Sequence, residues 1–267
     1  MRLRKNIESM ENFATIRSKK PTTAFGRRFA YLRAVTVAVT CCCWLCPASV
    51  RAQFPGPADE KDFRSIFDGR TLDGWSFDPV YWRVEDGVMV GEVTPETLLD
   101  RNTFIVWQGG TPENFELKME CRISPEGNSG INYRSCGVPD VPHALRGYQL
   151  DIDGAGVWTG QNYEERGREF LALRGQSVRV AGDDRPYVVG SLGEKDALLE
   201  VLDRDGWNEY RIIARGNTLI HIVNGRVMSL VVETESPEHP RGGSIGMQVH
   251  VGPPMKVEFR NIRLRTE

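Results

Sequence analysis

Cysteine is scarce in this chain after residue 52. Four of the six cysteines lie at positions 41, 42, 43 and 46, which leaves Cys121 and Cys136. Neither belongs to a Cys-x-x-Cys pair, and this excludes the common zinc-ribbon patterns. The two cysteines flank a predicted hairpin, and they either form a disulfide in an oxidising compartment or remain free thiols.

Long apolar runs are lacking as well. The run at residues 34–46 is too short for a comfortable membrane span. It follows a basic segment and precedes Val50-Arg51-Ala52, which offers small residues where a signal peptidase cuts. We therefore predict a signal peptide at 1–52, a linker at 53–61 and a single domain at 62–267; an uncleaved anchor is the alternative. The mature protein is expected in the periplasm or outside the cell, without integral membrane association.

Positive charge is in deficit once the predicted signal peptide is removed. The whole chain has 34 Lys and Arg against 36 Asp and Glu, and residues 1–52 hold ten of the basic and two of the acidic ones. The remainder has 24 basic and 34 acidic residues, a net charge near −10. Such an acidic domain argues against nucleic acid and anionic membrane surfaces as partners.

Several catalytic signatures are missing from the sequence. It has no Gly-x-Ser-x-Gly elbow, no His-Glu-x-x-His and no glycine-rich phosphate loop. The Glu-x-Asp-x-x-Glu strand of laminarinase-type glycosidases is absent too. These absences exclude the corresponding hydrolases and weaken a conventional glycosidase that uses two carboxylates.

The sequence does contain about a dozen short segments of alternating apolar and polar residues, separated by turns. The clearest is residues 115–123, where Phe, Leu, Met, Cys and Ile alternate with charged residues. Asp86-Gly87 marks a hairpin turn. Residues 103–107 form another predicted strand, and residues 209–214 and 218–223 form a second hairpin. A short helix or turn is expected at residues 194–201, and residues 94–99 are a weaker helix candidate. Alternating strands favour antiparallel sheets with one solvated face. We predict an all-β, antiparallel, two-sheet jelly-roll sandwich of the concanavalin A-like kind, with little helix.

The first candidate site lies within residues 147–170. Period-2 alternation places Gln149, Asp151 and Asp153 on one strand face, opposite an apolar face. Two carboxylates on one face repel each other unless an arginine, a metal or a polar ligand pairs with them. The following residues mix aromatic and charged groups that suit a sugar; they include Trp158, Tyr163, Glu165 and Arg168. The alternative is a charged, solvated sheet face.

Two further segments carry candidate residues. A glycine-bracketed turn holds Asn128, and the strand after it carries Arg134. Near the end of the chain Gln248 and His250 share a strand face. Each also has a structural interpretation: Asn128 shapes the turn, Arg134 neutralises nearby acids, and His250 is a hydrogen-bonded structural histidine.

Short motifs follow one another in a fixed order along residues 62–265. They are FDGRTLDGW at 67–75, GNSGI at 127–131, GYQLDI at 147–152, YEERGR at 163–168, WNEY at 207–210, QVHVGPP at 248–254 and FRNI at 259–262. In this order they resemble the 3-keto-disaccharide hydrolase domain family. The resemblance implies a concanavalin-like jelly roll, export and action on 3-keto glycosides. Many members have Tyr-Glu-x-Gln on the central strand, where this chain has Tyr148-Gln149-Leu150-Asp151.

A 3-keto glycoside suggests a definite reaction. The ketone acidifies the C2 proton, whose removal gives an enolate that expels the C1 aglycone, and water then adds back. We expect Asp151 or Glu165 as the base and Arg168 or His250 as the enolate stabiliser. A divalent metal could replace that cation. The residues expected to bind substrate are Asn128, Arg134, Gln149, Asp153, Trp158, Tyr163 and Gln248.

Two rival functions remain open from the sequence alone. A non-catalytic, lectin-like carbohydrate-binding module has the same fold, because jelly rolls serve both purposes. An adhesion or scaffold domain is the other, and it predicts that Gln149, Asp151 and Glu165 do not converge.

Overall fold

The computed structural model describes residues 60–233 and 241–267. The predicted signal peptide at 1–52 and most of the predicted linker lie outside this part of the chain. The last residues of the linker begin the domain as a turn of 3-10 helix at Glu60–Asp62. The Glu60 carboxylate forms an ion pair with Lys118 on the sheet below, which ties this turn to the domain.

Strands form nearly all the regular structure. The helix α1 spans Lys195–Leu199, within the segment predicted to be helical. No helix in the described ranges is long and apolar enough to cross a bilayer. The strands are β1 (Arg64–Ser65), β2 (Trp75–Ser76), β3 (Trp82–Glu85), β4 (Val88–Val93), β5 (Thr103–Trp107), β6 (Phe115–Ile123), β7 (Asn128–Gly137), β8 (Leu145–Asp153), β9 (Asn162–Glu165), β10 (Glu169–Ala172), β11 (Gln176–Val180), β12 (Pro186–Ser191), β13 (Asn208–Arg215), β14 (Thr218–Val223), β15 (Arg226–Val232), β16 (Ser244–Val249) and β17 (Met255–Thr266).

These strands build two sheets. The larger, ten-stranded sheet has the order β12-β11-β15-β14-β13-β6-β17-β4-β3, with β1 paired to β17. The seven-stranded sheet has the order β10-β9-β8-β7-β16-β5-β2. Every pairing is antiparallel except β11 with β15. The antiparallel jelly-roll sandwich predicted from the alternation is therefore confirmed.

The core fills the space between the sheets, and strand alternation explains how. Along β6, Leu117 and Met119 are buried in the core, whereas Glu116 and Glu120 point to the opposite face. There Glu116 forms ion pairs with arginines of the neighbouring strands, among them Arg265. The outer face of the ten-stranded sheet is thus a ladder of paired charges, as expected for a solvated sheet face.

The predicted hairpin between the two cysteines is wrong. The turn after β6 carries the chain from the ten-stranded sheet to the seven-stranded one, so β6 and β7 do not pair. Cys121 is buried in one sheet and Cys136 is exposed in the other, and both are free thiols. Burial raises the pKa of the Cys121 thiol well above its usual value. The two cysteines therefore do not form the disulfide that the sequence left open.

The prediction of about twelve strands missed the segment from β9 to β12 and the short strand β2. Strands β9 and β10 have only four residues each, too few for period-2 alternation to stand out. Strand β12 is exposed along its whole length, and Tyr187, Val188 and Val189 follow one another in it, so its sequence shows no apolar–polar alternation to recognise. Residues 94–99, a weaker helix candidate, instead form a turn in which the Thr94 N–H donates a hydrogen bond to the Thr97 hydroxyl.

A polar network lies inside the core and ties three strands together. The His221 Nε2 atom accepts a hydrogen bond from the Tyr133 hydroxyl at 2.8 Å, and that hydroxyl accepts one from the Asn162 amide at 3.1 Å. The other ring nitrogen of His221 donates to the Gln161 carbonyl at 3.1 Å. Burial lowers the pKa of His221 from 6.5 to about 3, so the ring is neutral in the folded protein.

This histidine predicts an acid sensitivity. Below pH 6.5 the unfolded chain binds a proton at His221, whereas the folded chain does not bind it until the pH falls to about 3. Folding stability therefore falls as pH drops through that window. We expect His221→Gln to lose this dependence in urea unfolding between pH 7 and pH 4. An identical pH profile for both proteins would contradict it.

Candidate active site

Strand β8 places two polar side chains away from the core. Tyr148 and Leu150 are buried between the sheets, so Gln149 and Asp151 point to the outer face of the seven-stranded sheet. Gln149 Nε2 donates to Asp151 Oδ1 at 2.7 Å. Both side chains are nevertheless buried, with 4% and 7% of their surface exposed. An outer face that buries an amide and a carboxylate is not an ordinary solvated face.

Side chains from distant strands meet these two. Gln248 Nε2 on β16 lies 3.1 Å from Gln149 Oε1 and 3.5 Å from Glu165 Oε2 on β9. Asn102 Nδ2, just before β5, lies 3.4 Å from Glu165 Oε1. Strands β8 and β7 separate β9 from β16, so the face must be strongly concave for these contacts to form. We call Asn102, Gln149, Asp151, Glu165 and Gln248 the amide–carboxylate cluster.

Both carboxylates of the cluster hold their protons more tightly than usual. Burial raises the pKa of Asp151 well above 3.8, and the charges of Asp153 and Glu165 add to this against the opposing hydrogen bond from Gln149. Burial also raises the pKa of Glu165 above 4.5, opposed by Asn102, Arg166 and Gln248. Carboxyls whose pKa is raised by burial are typical of the general acids and bases of active sites.

Gly130 makes room for Gln149. Gly130 is on β7, directly opposite Asp151 on β8. A Cβ atom at position 130 would come within 2.4 Å of the Gln149 side chain. The glycine is needed for space rather than for an unusual backbone angle. Gln149 thus lies across a bare patch of strand and reaches Asp151 and Gln248 from there.

We expect Gly130→Ala to displace Gln149 and break its bond to Asp151. Any activity that depends on the cluster should fall at least about tenfold, a loss of about 1.4 kcal/mol, while the far-ultraviolet circular dichroism stays unchanged. Gly137→Ala is a matched control, because no atom lies within 4 Å of a Cβ at that position. Equal activity in both variants would contradict the role given to Gln149.

An aromatic wall adjoins the cluster at the β9–β10 edge of the sheet. Tyr163 is opposite Gln149 and packs edge-on against Phe170 at 5.1 Å between ring centroids. Trp158 stacks on Phe170 at 5.4 Å. Burial, with the charges of Glu165, Glu169 and Asp151, raises the pKa of Tyr163 to about 12. Tyr163 is therefore a neutral hydroxyl beside both carboxylates. Sequence inspection missed Phe170, which carries no signal beyond its apolar character.

Asp153 does a different task from the one predicted. Its carboxylate accepts backbone N–H bonds from Val157, Trp158 and Thr159, each at 2.8 Å. The Thr159 hydroxyl donates to it as well, at 2.9 Å. These bonds occupy the carboxylate and fix the loop that carries Trp158. Asp153 therefore supports the aromatic wall and does not face a ligand.

Arg168 lies on the opposite face of the sheet from the cluster. It pairs with Glu164 at 2.5 Å and Glu233 at 2.8 Å, and its guanidinium lies over the ring of Tyr148, a core residue. Glu164 is opposite Tyr148, so alternation turns it inward. The two carboxylates raise the pKa of Arg168 despite its burial. The expectation that Arg168 stabilises an enolate beside Asp151 is not met by this geometry.

Arg134 is also directed away from the cluster. It adopts a positive φ of 46° at a bulge in β7. Its guanidinium donates to the Glu113 carbonyl at 2.6 Å and to the Gly216 carbonyl at 2.8 Å. It therefore ties two turns together, and the structure does not place it where a ligand of the cluster would lie.

Asn128 and His250 lie at the rim of the same face. Asn128 is opposite Asp153 at the start of β7. His250 is two residues beyond Gln248 and shares its side of the strand. His250 Nδ1 donates to the Val251 carbonyl at 2.5 Å, and burial lowers the pKa of the ring. His250 is thus neutral near pH 7 and presents Nε2 as an acceptor.

The described side chains of this face do not form a set of metal ligands. Within the described ranges, no group of three or more His, Cys, Asp or Glu side chains is arranged to hold a metal ion. The sequence suggests Asp151, Asp153, Glu165 and His250 as possible metal ligands, but the Asp153 carboxylate is occupied by its own loop. The cluster offers two carboxylates and three amides.

Fold and site together define a jelly-roll protein with a polar, proton-binding cluster on its concave face. The chain belongs to the family of 3-keto-alpha-glucoside-1,2-lyase-like domains, whose match spans residues 62–265. This confirms the resemblance found in the sequence motifs, and the family supports a carbohydrate-related function. No curated protein matches the chain.

Solved structures share the fold at low sequence identity. A protein from Parabacteroides distasonis ATCC 8503 described as a candidate glycosyl hydrolase is 19% identical, with 79% of this chain and 98% of that one covered and a TM-score of 0.51. A galectin-like protein of unknown function from Bacillus subtilis is 12% identical, with 73% and 90% covered and a TM-score of 0.51. At this identity they show the fold alone.

Proposed function

We propose that this protein cleaves 3-keto glycosides by removing the C2 proton and eliminating the aglycone. The observation that carries the proposal is the convergence of Asp151 and Glu165, two buried carboxylates with raised pKa values, on one concave face. An acid and a base are what such an elimination needs. The family description supports the substrate class.

The surroundings of the two carboxylates suggest different roles for them. Glu165 receives amide contacts from Asn102 and Gln248 and has Arg166 Nε at 3.8 Å, all of which favour its ionised form. Asp151 has one amide donor and no cation in ion-pair range in the described part of the chain. We assign Glu165 as the base at C2 and protonated Asp151 as the acid at the glycosidic oxygen. Such divergent environments are how paired carboxylates take opposite roles.

The steps balance without a redox partner. Glu165 takes the C2 proton, and the C2–H electrons form a C2–C3 double bond with the charge on the C3 oxygen. Return of that charge re-forms the ketone, makes a C1–C2 double bond and breaks the C1–O bond. The departing oxygen takes the proton of Asp151. Water then adds its hydroxyl at C1 and a proton at C2, which gives the free 3-keto sugar.

The aromatic wall supports a sugar or another flat ligand beside this chemistry. Trp158, Phe170 and Tyr163 offer ring surfaces against which apolar C–H faces pack. A neutral Tyr163 hydroxyl adds a hydrogen-bond partner beside the carboxylates. A binding module would use the same wall, so the carboxylates distinguish the two functions.

Calorimetry with plain and 3-keto forms of one disaccharide, followed by product analysis, tests this function. The proposal predicts tighter binding of the 3-keto form, using Asp151→Asn to prevent turnover, and release of the aglycone by the unaltered protein. Binding of both forms without any product would show a carbohydrate-binding module instead.

We also propose that the protein is exported after cleavage at Ala52, on the strength of the sequence of residues 1–52. Amino-terminal sequencing of protein from its own cells is expected to begin at Gln53. A chain beginning within the first fifty residues would contradict cleavage at this point.

A further inference from the structure

One buried amide on the site face has no partner. Asn132 is opposite Gln149 on β8 and opposite Gly246 on β16, which places its side chain on the same outer face as the amide–carboxylate cluster. None of its surface is exposed. Neither its Nδ2 nor its Oδ1 atom forms a hydrogen bond. Among the buried side chains of the described ranges, it is the amide with both heteroatoms unsatisfied.

Burying such an amide without partners lowers the stability of the folded protein. A buried donor and acceptor without partners destabilise a protein, whereas an apolar side chain of similar shape would not. Buried orphan groups in native structures call for an explanation, and a ligand that supplies the missing partners is one. Gln248 strengthens this explanation, because its Oε1 atom is also buried and unsatisfied, and it lies two residues from Gly246 on the strand beside Asn132.

The proposed elimination needs a hydrogen-bond donor for the C3 oxygen, and this amide can supply it. The elimination places negative charge on the C3 oxygen, but Arg168 lies on the other face of the sheet. His250 has its Nδ1 proton on the Val251 carbonyl and offers an acceptor to the site. Arg166 lies beside Glu165. Asn132 Nδ2 is an N–H donor on this face that no protein acceptor uses, so it is available for that oxygen.

Resting on the function proposed above, we propose that Asn132 is a catalytic residue whose Nδ2–H donates to the C3 oxygen of the keto sugar and of its enolate. Asn132 Oδ1 and Gln248 Oε1 then accept hydrogen bonds from the hydroxyls that flank this carbonyl. The ligand class is an α-hydroxy ketone with a hydroxyl on either side of the carbonyl carbon. Gln149 lies directly opposite Asn132 and borders the same ligand position.

Proton exchange isolates the step that Asn132 serves. The probe is a 3-keto sugar with hydrogen in place of the aglycone at C1, which forms the enolate but has nothing to eliminate. In D₂O the unaltered protein is expected to exchange its C2 proton, as followed by NMR. Asn132→Leu should slow that exchange by about 10²-fold or more, the usual loss of one oxyanion donor. Its thermal midpoint should stay level or rise, because the substitution removes an orphan amide.

Ser229→Ala is the matched control. It also removes a buried, unsatisfied polar atom, from the ten-stranded sheet, and should leave exchange unchanged. Where Asn132→Leu does not fold, Asn132→Asp replaces it: exchange should be lost near pH 8 and partly recover as pH falls, since a protonated carboxyl donates again.

The outcomes separate the two proposals. No exchange by the unaltered protein overturns the proposed elimination. If the unaltered protein exchanges the proton and Asn132→Leu exchanges it within about twofold of that rate, the role of Asn132 alone is overturned. An Asn132→Asp exchange rate that does not depend on pH has the same consequence. A lower thermal midpoint with unchanged exchange per folded molecule shows a structural amide and overturns it as well.

Discussion

Asp151→Asn and Glu165→Gln are each expected to lower turnover of a 3-keto glucoside by about 10²- to 10⁴-fold. Each substitution keeps the side chain's shape and removes its ability to transfer a proton. The measurement is initial rate with a chromogenic 3-keto glucoside, with folding confirmed by circular dichroism. Glu120→Gln is the control, because Glu120 lies on the outer face of the other sheet and pairs with Arg260. Unchanged turnover in both site variants would refute the assignment.

The same Asp151→Asn variant should become more stable than the unaltered protein as pH rises. The folded protein keeps the Asp151 proton above pH 3.8, where the unfolded chain has lost it. The folded state therefore binds more protons, and this group's contribution to stability falls with rising pH through that window. Asparagine does not titrate, so urea unfolding at pH 8 should favour the variant and at pH 3 should not distinguish the two. The loss of activity with a gain in stability is typical of a functional residue.

Arg168→Met is expected to lower the free energy of unfolding by about 3 kcal/mol, because it removes a cation that two buried carboxylates share. Glu233 accepts from both Arg168 and the Tyr148 hydroxyl, so the damage extends to a core side chain. Urea unfolding at pH 7 measures the effect. The remaining folded protein should turn over 3-keto substrate at close to the normal rate, because Arg168 lies on the other face.

Arg83→Met gives the comparison for Arg168. Its ion pairs with Glu85 and Glu92 are on the surface, with 41% of the arginine side chain exposed, and such pairs contribute about 1 kcal/mol or less. An Arg168→Met protein with normal stability and no activity would instead show that Arg168 acts in the active site.

Strand alternation predicted much of this structure because it reports directly which face is buried. It gave β5, β6 and the β13–β14 hairpin with bounds within a residue or so. It also placed Gln149 and Asp151 on one face, and the structure brings them together with Glu165 and Gln248. These predictions needed only the period of the strand and the chemical character of the side chains.

The roles of Asp153 and Arg168 could not be found in the same way. Both are charged residues near the candidate strand, but a backbone loop occupies one and two inward-facing glutamates occupy the other. Asn102 lies 63 residues before Glu165 in the sequence and meets it through curvature that no local pattern encodes. Asn132 differs from other asparagines only by its missing partners, which become visible once the strands are in register.

The most direct test of the central claim is the position of deuterium in the product formed in D₂O. Elimination through Glu165 and readdition of water place deuterium at C2 of the released 3-keto sugar. The C4 proton is also next to the ketone and serves as the internal control for spontaneous exchange. The account predicts deuterium at C2 well above that at C4 in early product. Released sugar without deuterium at C2 would contradict it and indicate direct displacement at C1.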